Sequence, residues 1–152
     1  MKKVNNAKIK QYTTYKLEGE IKTIYFPENI LELKELINKL KSNNTRYKIL
    51  GNGSNLIISS SYDGVLIKLS KFDKLDIVNN IVRVGSGYNL SKLALKCAKN
   101  SLSGLEFAFG IPATVGGAIY QNAGAYGFDM ASVFKEALVL DKFGDIFTLS
   151  KD

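Results

Sequence analysis

The side chains that most often carry enzyme chemistry are scarce in this sequence. There is no histidine, which removes the commonest general base and the commonest metal ligand together. The single cysteine, Cys97, cannot form an intrachain disulfide. What remains is chemistry by carboxylates, lysines, tyrosines, backbone amides or a bound cofactor. Two glycine-rich segments are the places where backbone amides could do such work.

The first segment is Leu50-Gly51-Asn52-Gly53-Ser54-Asn55-Leu56. Glycine takes positive φ without penalty, so consecutive N–H groups can converge on one concavity and hold phosphate oxygens without cationic side chains. Ser54, Asn52 and Asn55 add side-chain donors. Neither the dinucleotide-binding Gly-x-Gly-x-x-Gly spacing nor a Gly-Lys-Ser/Thr phosphate loop is present. Read alone, the loop is an anion nest or an ordinary turn between strands.

The second segment runs Gly110-Ile111-Pro112-Ala113-Thr114-Val115-Gly116-Gly117-Ala118 and continues as Asn122-Ala123-Gly124-Ala125-Tyr126-Gly127. Residues 104–127 hold six of the 13 glycines, and bulky charged residues are nearly absent. Pro112 restricts the residues ahead of it. Gly116-Gly117-Ala118 leaves a bare backbone surface on which a flat ring could lie. The bland alternative is a tightly packed glycine-alanine helix or turn.

Elements on either side must position these segments. Residues 1–12 read as an arm. Ile21 to Phe26 alternates as a strand, and Pro27 opens a helix with Ile30, Leu33, Leu36, Ile37 and Leu40 at helical spacing. Asn43-Asn44 ends that helix, Tyr47 to Leu50 is a short strand that feeds the first loop, and Gly64 to Leu69 is another. Leu75–Val78 and Ile81–Val84 flank Asn79-Asn80 as a hairpin. Asn89 caps a helix with Leu90, Leu93, Ala94, Cys97 and Ala98 on one face, which reads Cys97 as a buried apolar residue. A last hairpin joins Phe134–Leu140 to Asp145–Leu149 through Asp141-Lys142-Phe143-Gly144.

Composition is that of an ordinary globular protein, 45% apolar and 23% charged over 152 residues, enough for one domain or two small lobes, and the order of strands, helices and hairpins makes the expected fold class α+β. No apolar run reaches a membrane-spanning length, and the start lacks a signal-peptide core, so the expected compartment is the cytoplasm. Net charge is +7, but only Arg46 and Arg83 are arginines. The bidentate phosphate chemistry of arginine is therefore scarce, and neither a nucleic-acid nor a membrane partner is expected.

Taken in order, Gly51-Asn52-Gly53-Ser54-Asn55-Leu56, Gly104-Leu105-Glu106-Phe107, Gly110-Ile111-Pro112, Val115-Gly116-Gly117-Ala118 and Asn122-Ala123-Gly124-Ala125-Tyr126-Gly127 resemble the UDP-N-acetylenolpyruvoylglucosamine reductase family. Tyr12-Thr13-Thr14-Tyr15-Lys16-Leu17 also resembles the start of that family's flavin domain, so the likeness spans about Thr13 to Asp152. Ala113 departs from it, where glycine is usual. The resemblance implies a two-lobed FAD-binding domain of the vanillyl-alcohol oxidase and p-cresol methylhydroxylase type. Residues 13–70 would form a small strand-helix-strand lobe and residues 71–152 an incomplete lobe with a mixed or antiparallel sheet.

By the same resemblance, Leu50 to Leu56 wrap the FAD diphosphate. Gly110, Ile111, Pro112, Thr114, Val115, Gly116, Gly117 and Ala118 line the diphosphate and the flavin ring. Asn122, Ala123, Gly124 and Ala125 complete the cradle, and Tyr126 faces the substrate side. The implied reaction belongs to peptidoglycan precursor synthesis. NADPH reduces FAD, the enolpyruvyl group of a UDP-sugar receives a hydride, and a serine protonates the adjacent carbon.

The family's catalytic arginine, serine and glutamate are expected beyond Asp152, together with its substrate-binding domain. The chain is accordingly expected to be part of a longer protein, to lack catalytic residues and not to complete the reaction. A cut sheet edge would also invite self-association. Two alternatives stay open: an FAD-dependent oxidase of the same superfamily, and a non-enzymatic nucleotide-binding module.

Overall fold

The computed structural model describes residues 1–58 and 60–151, which divide into two compact units, Met1–Asp73 and Lys74–Asp152. The first unit is a four-stranded mixed sheet with one helix. Its elements are β1 (Lys2–Lys8), β2 (Glu20–Phe26), α1 (Ile30–Ser42), β3 (Tyr47–Leu50) and β4 (Ser61–Lys68). The sheet order is β1-β2-β4-β3, with β1 antiparallel to β2 and the other pairs parallel. β4 is central, and its Val65, Leu66 and Ile67 are all buried, the continuous apolar pattern of a strand covered on both faces. The core is Ala7, Ile9, Ile21, Ile24, Leu50, Ile58 and Leu66.

Two expectations for this unit are corrected. Residues 1–12 are not an arm: Lys2 to Lys8 pair along β2, and Ala7 and Ile9 are buried. Asn6 takes φ 50° between Val4 and Ala7, which spoils the period-two alternation that would have marked a strand. Helix α1 begins at Ile30 rather than at Pro27. Asn29 supplies the cap, its side chain accepting from the N–H of Glu32 at 3.0 Å, while Pro27 is buried ahead of it. The apolar stripe Leu33, Leu36, Ile37 and Leu40 is buried as spaced, each side chain contributing about 1.5–3 kcal/mol at most. Ile30 overhangs the first turn and is exposed.

The second unit contains the hairpin β5 (Leu75–Val78) and β6 (Ile81–Val84), helix α2 (Leu90–Lys99) and the short helix α3 (Val115–Tyr120). These are followed by a two-residue ladder of β7 (Gly124–Ala125) and β8 (Phe128–Asp129), the single turn α4 (Met130–Val133), and the hairpin β9 (Glu136–Leu140) and β10 (Ile146–Ser150). Asn79 at φ 54° turns the first hairpin, as its residue type allows. Leu90, Leu93, Ala94 and Cys97 form the buried face of α2, and with Phe107, Ala108, Ala113, Val115, Ala118 and Met130 they make this unit's core. β9 starts two residues later than its apolar run suggests, because the Phe134 N–H is bonded to the Met130 carbonyl at the end of α4. In the last hairpin the Asp141 carboxylate accepts from the N–H groups of Phe143 and Asp145 at 2.7 and 2.9 Å and closes the turn.

Candidate functional site

In the first unit β2, β3 and β4 are parallel, and the glycine loop leaves the C-terminal end of β3. In open α/β sheets that end of the strands is where loops are free to hold ligands. Leu50 is buried as the last residue of the strand and anchors the loop. Gly53 has φ 66°, and a Cβ there would lie 2.8 Å from the Thr13 Cα and against the Tyr12 carbonyl oxygen. Only glycine fits both the conformation and the space. The Gly53 carbonyl accepts from the Thr14 N–H at 3.2 Å and from the Thr14 hydroxyl at 3.4 Å. A trans peptide aims its N–H opposite to its C=O, so pinning the Gly53 carbonyl onto Thr14 turns the Ser54 N–H the other way. The N–H groups of Gly53, Ser54 and Asn55 donate to no backbone carbonyl among the described residues. Amides left without a backbone acceptor are the donors a phosphate nest needs.

Residues 12–14, absent from the expected site, are thus the loop's floor. Their signal was the run Tyr12-Thr13-Thr14 itself, in which two small hydroxyl residues can approach a glycine backbone. Lys68, at the end of β4, is the second such residue. It pairs in register with Leu50, and its ammonium donates to the Gly51 carbonyl. Half-burial pushes its pKa below the ordinary lysine value.

In the second unit Gly110 to Ala118 is bound to the segment ahead of α2. The Leu90 N–H donates to the Ala113 carbonyl at 3.0 Å, the Val115 N–H to the Tyr88 carbonyl at 2.9 Å, and the Gly116 N–H to the Ser86 carbonyl at 2.8 Å. The Ser91 hydroxyl donates to the Ile111 carbonyl at 3.0 Å. Thr114, almost fully buried, caps α3 by accepting from the Gly117 N–H at 3.3 Å. Gly116 is glycine for packing, since a Cβ there would lie 2.7 Å from the Ser86 Cβ. Gly110 differs: it is exposed, its φ is negative or extended, and nothing lies within 4 Å of where a Cβ would stand. Neither conformation nor the chain's own packing requires glycine there. An open, side-chain-free backbone is what close approach by a flat ligand would need.

Asn122 (φ 45°) uses both ends of its amide within the unit. Its nitrogen donates to the Asp129 carboxylate at 2.9 Å and its oxygen accepts from the Ala131 N–H at 2.8 Å. One amide N–H and one lone pair of the amide oxygen are thereby committed inside the unit. Gly124 lies against Asp129, where a Cβ would be 2.9 Å from that residue's Cβ. Tyr126 and Gly127 occupy the β7–β8 turn with φ 56° and 83°, and the Tyr126 side chain is 92% exposed. A bulky residue held left-handed with its ring in solvent is strained without any packing return. No cluster of His, Cys, Asp and Glu suited to a metal occurs among the described residues. The residues present fit a nucleotide diphosphate held by backbone amides.

The profile of the FAD binding domain family matches residues 21–150, and the chain belongs to that family. More particularly, it is 43% identical over 144 residues to the UDP-N-acetylenolpyruvoylglucosamine reductase of Caldicellulosiruptor saccharolyticus, covering 94% of this chain and 46% of the relative. The enzyme of the same name from Clostridium tetani is 40% identical over 148 residues, covering 97% and 48%. The crystal structure of UDP-N-acetylenolpyruvylglucosamine reductase from Thermus caldophilus superposes with a TM-score of 0.80 at 31% identity, over 99% of this chain and 52% of that one. 6-Hydroxy-D-nicotine oxidase from Arthrobacter nicotinovorans shares the fold alone, with a TM-score of 0.71 at 14% identity over 98% and 35%. The chain spans about half the length of the curated relatives it matches.

Proposed function

We propose that this chain is the FAD-binding part of a cytoplasmic reductase that uses NADPH to convert UDP-N-acetylglucosamine enolpyruvate to UDP-N-acetylmuramate for peptidoglycan synthesis. The observation that carries the proposal is the Gly51–Asn55 loop, whose Gly53 carbonyl is pinned to Thr14 so that the Ser54 N–H turns the other way. FAD, when bound, supplies hydride chemistry that no side chain of this histidine-free sequence can supply. The chain's own residues hold and orient it. In the first unit Gly53, Ser54 and Asn55 would donate to its diphosphate; in the second, the bare backbone at Gly110 would leave room for a flat ring and Tyr126 would face the substrate.

The test is made on the full-length parent protein. It should purify with a flavin spectrum and oxidise NADPH only when the UDP-enolpyruvyl sugar is present. Absence of flavin together with absence of that NADPH oxidation would sink the proposal. Oxygen-dependent turnover without NADPH would point to an oxidase of the same fold instead.

A further inference from the structure

We infer that Lys68 is the positioning cation of the glycine loop: it orients the Gly51–Asn52 peptide and adds positive charge that strengthens the hold on a diphosphate there. This rests on the FAD reading above and deepens it. Three observations support it. Lys68 ends β4 directly opposite Leu50, so it stands at the same C-terminal sheet edge from which the loop departs. Its ammonium donates to the Gly51 carbonyl, the first carbonyl of the loop. No carboxylate pairs with it among the described residues, whereas Lys8 and Lys10 pair with Glu20 and Glu18.

Satisfying one carbonyl does not require a cation. A neutral donor would do it without the cost of partly desolvating an ammonium group. Ile67 and Leu66, the preceding residues of β4, are fully buried, so the strand leads Lys68 out of an apolar core rather than into bulk water. Burial accordingly holds its pKa below the usual lysine range. An uncompensated, half-buried positive charge bonded to the first carbonyl of this loop is stabilised when an anion arrives on the loop. Net positive charge alone would not place it there, because most of the chain's lysines are surface groups on other elements.

The experiment compares the full-length parent protein, freed of bound flavin, with its Lys68→Met and Lys68→Arg variants, titrating FAD and riboflavin by flavin fluorescence at low and high salt. Riboflavin carries the same ring system and no phosphate. Lys68→Met should weaken FAD binding by about tenfold or more, as loss of a charge-assisted contact does, while riboflavin binding changes by less than about twofold. The salt dependence of FAD binding should become shallower, and Lys68→Arg should restore most of the affinity. Equal losses for FAD and riboflavin would reduce Lys68 to a structural prop and overturn the inference, as would unchanged FAD binding. If circular dichroism shows Lys68→Met unfolded, Lys68→Gln keeps a donor without the charge, and wild-type FAD affinity in that variant is the overturning result. A folded full-length parent protein that binds no FAD overturns the FAD reading itself, and the inference falls with it.

Discussion

The carbonyl of Gly53 accepts from the backbone N–H of Thr14 at 3.2 Å, joining the glycine loop to a segment thirty-nine residues earlier. That bond fixes which edge of the Gly53–Ser54 peptide faces outward. It also brings Thr13 and Tyr12 so close that Gly53 has no room for a side chain.

Gly53→Ala should therefore destabilise the first unit by about 2–4 kcal/mol, combining left-handed strain with overpacking against Thr13 and Tyr12. Urea denaturation monitored by circular dichroism measures it. A loss below about 0.5 kcal/mol would show that the loop relaxes freely and is not held as described.

Gly110→Ala should do the opposite. With open space over the position and no positive φ, stability should stay within about 0.5 kcal/mol of wild type. If the bare backbone exists to admit the flavin, affinity for FAD should fall by several-fold, roughly the effect of a methyl group placed in a close contact. Fluorescence titration beside a melting curve separates the two readouts. Unchanged affinity would remove Gly110 from the site.

Thr114 caps α3 and leaves the Gly117 N–H satisfied. Thr114→Ala should cost about 1 kcal/mol and Thr114→Ser much less, since the serine hydroxyl keeps the cap. Equal costs would mean that the buried methyl group, not the hydroxyl, matters at this position.

Cys97 is buried on the inner face of α2, and burial pushes its thiol pKa above the ordinary value. The folded state thus prefers the neutral thiol. Its contribution to stability is full below the ordinary thiol pKa and is lost as pH rises through the raised one. A thiol reagent should react slowly with the native chain at pH 8 and rapidly in denaturant. Rapid native reaction would contradict the burial.

Much of this protein was legible in its residues. The stripe Leu33, Leu36, Ile37 and Leu40, the Asn89-capped face of α2 and the Asn79-Asn80 hairpin follow from local periodicity and capping, so sequence alone determined them. The glycine motifs likewise pointed to a flavin domain, and the FAD binding domain profile shows that family. Tertiary structure decided what depended on distant partners. Lys2 to Lys8 became a strand because β2 offered an edge, against a polar composition that favoured an arm. Lys68 became a neighbour of the glycine loop because parallel strands end at one edge of the sheet, and Thr14 because the connection between β1 and β2 packs against that loop. Gly53, Gly110 and Gly116 are one residue type with three different reasons. Only the surrounding atoms separate strain relief, open space and close packing, because a missing side chain carries no record of what lies next to it.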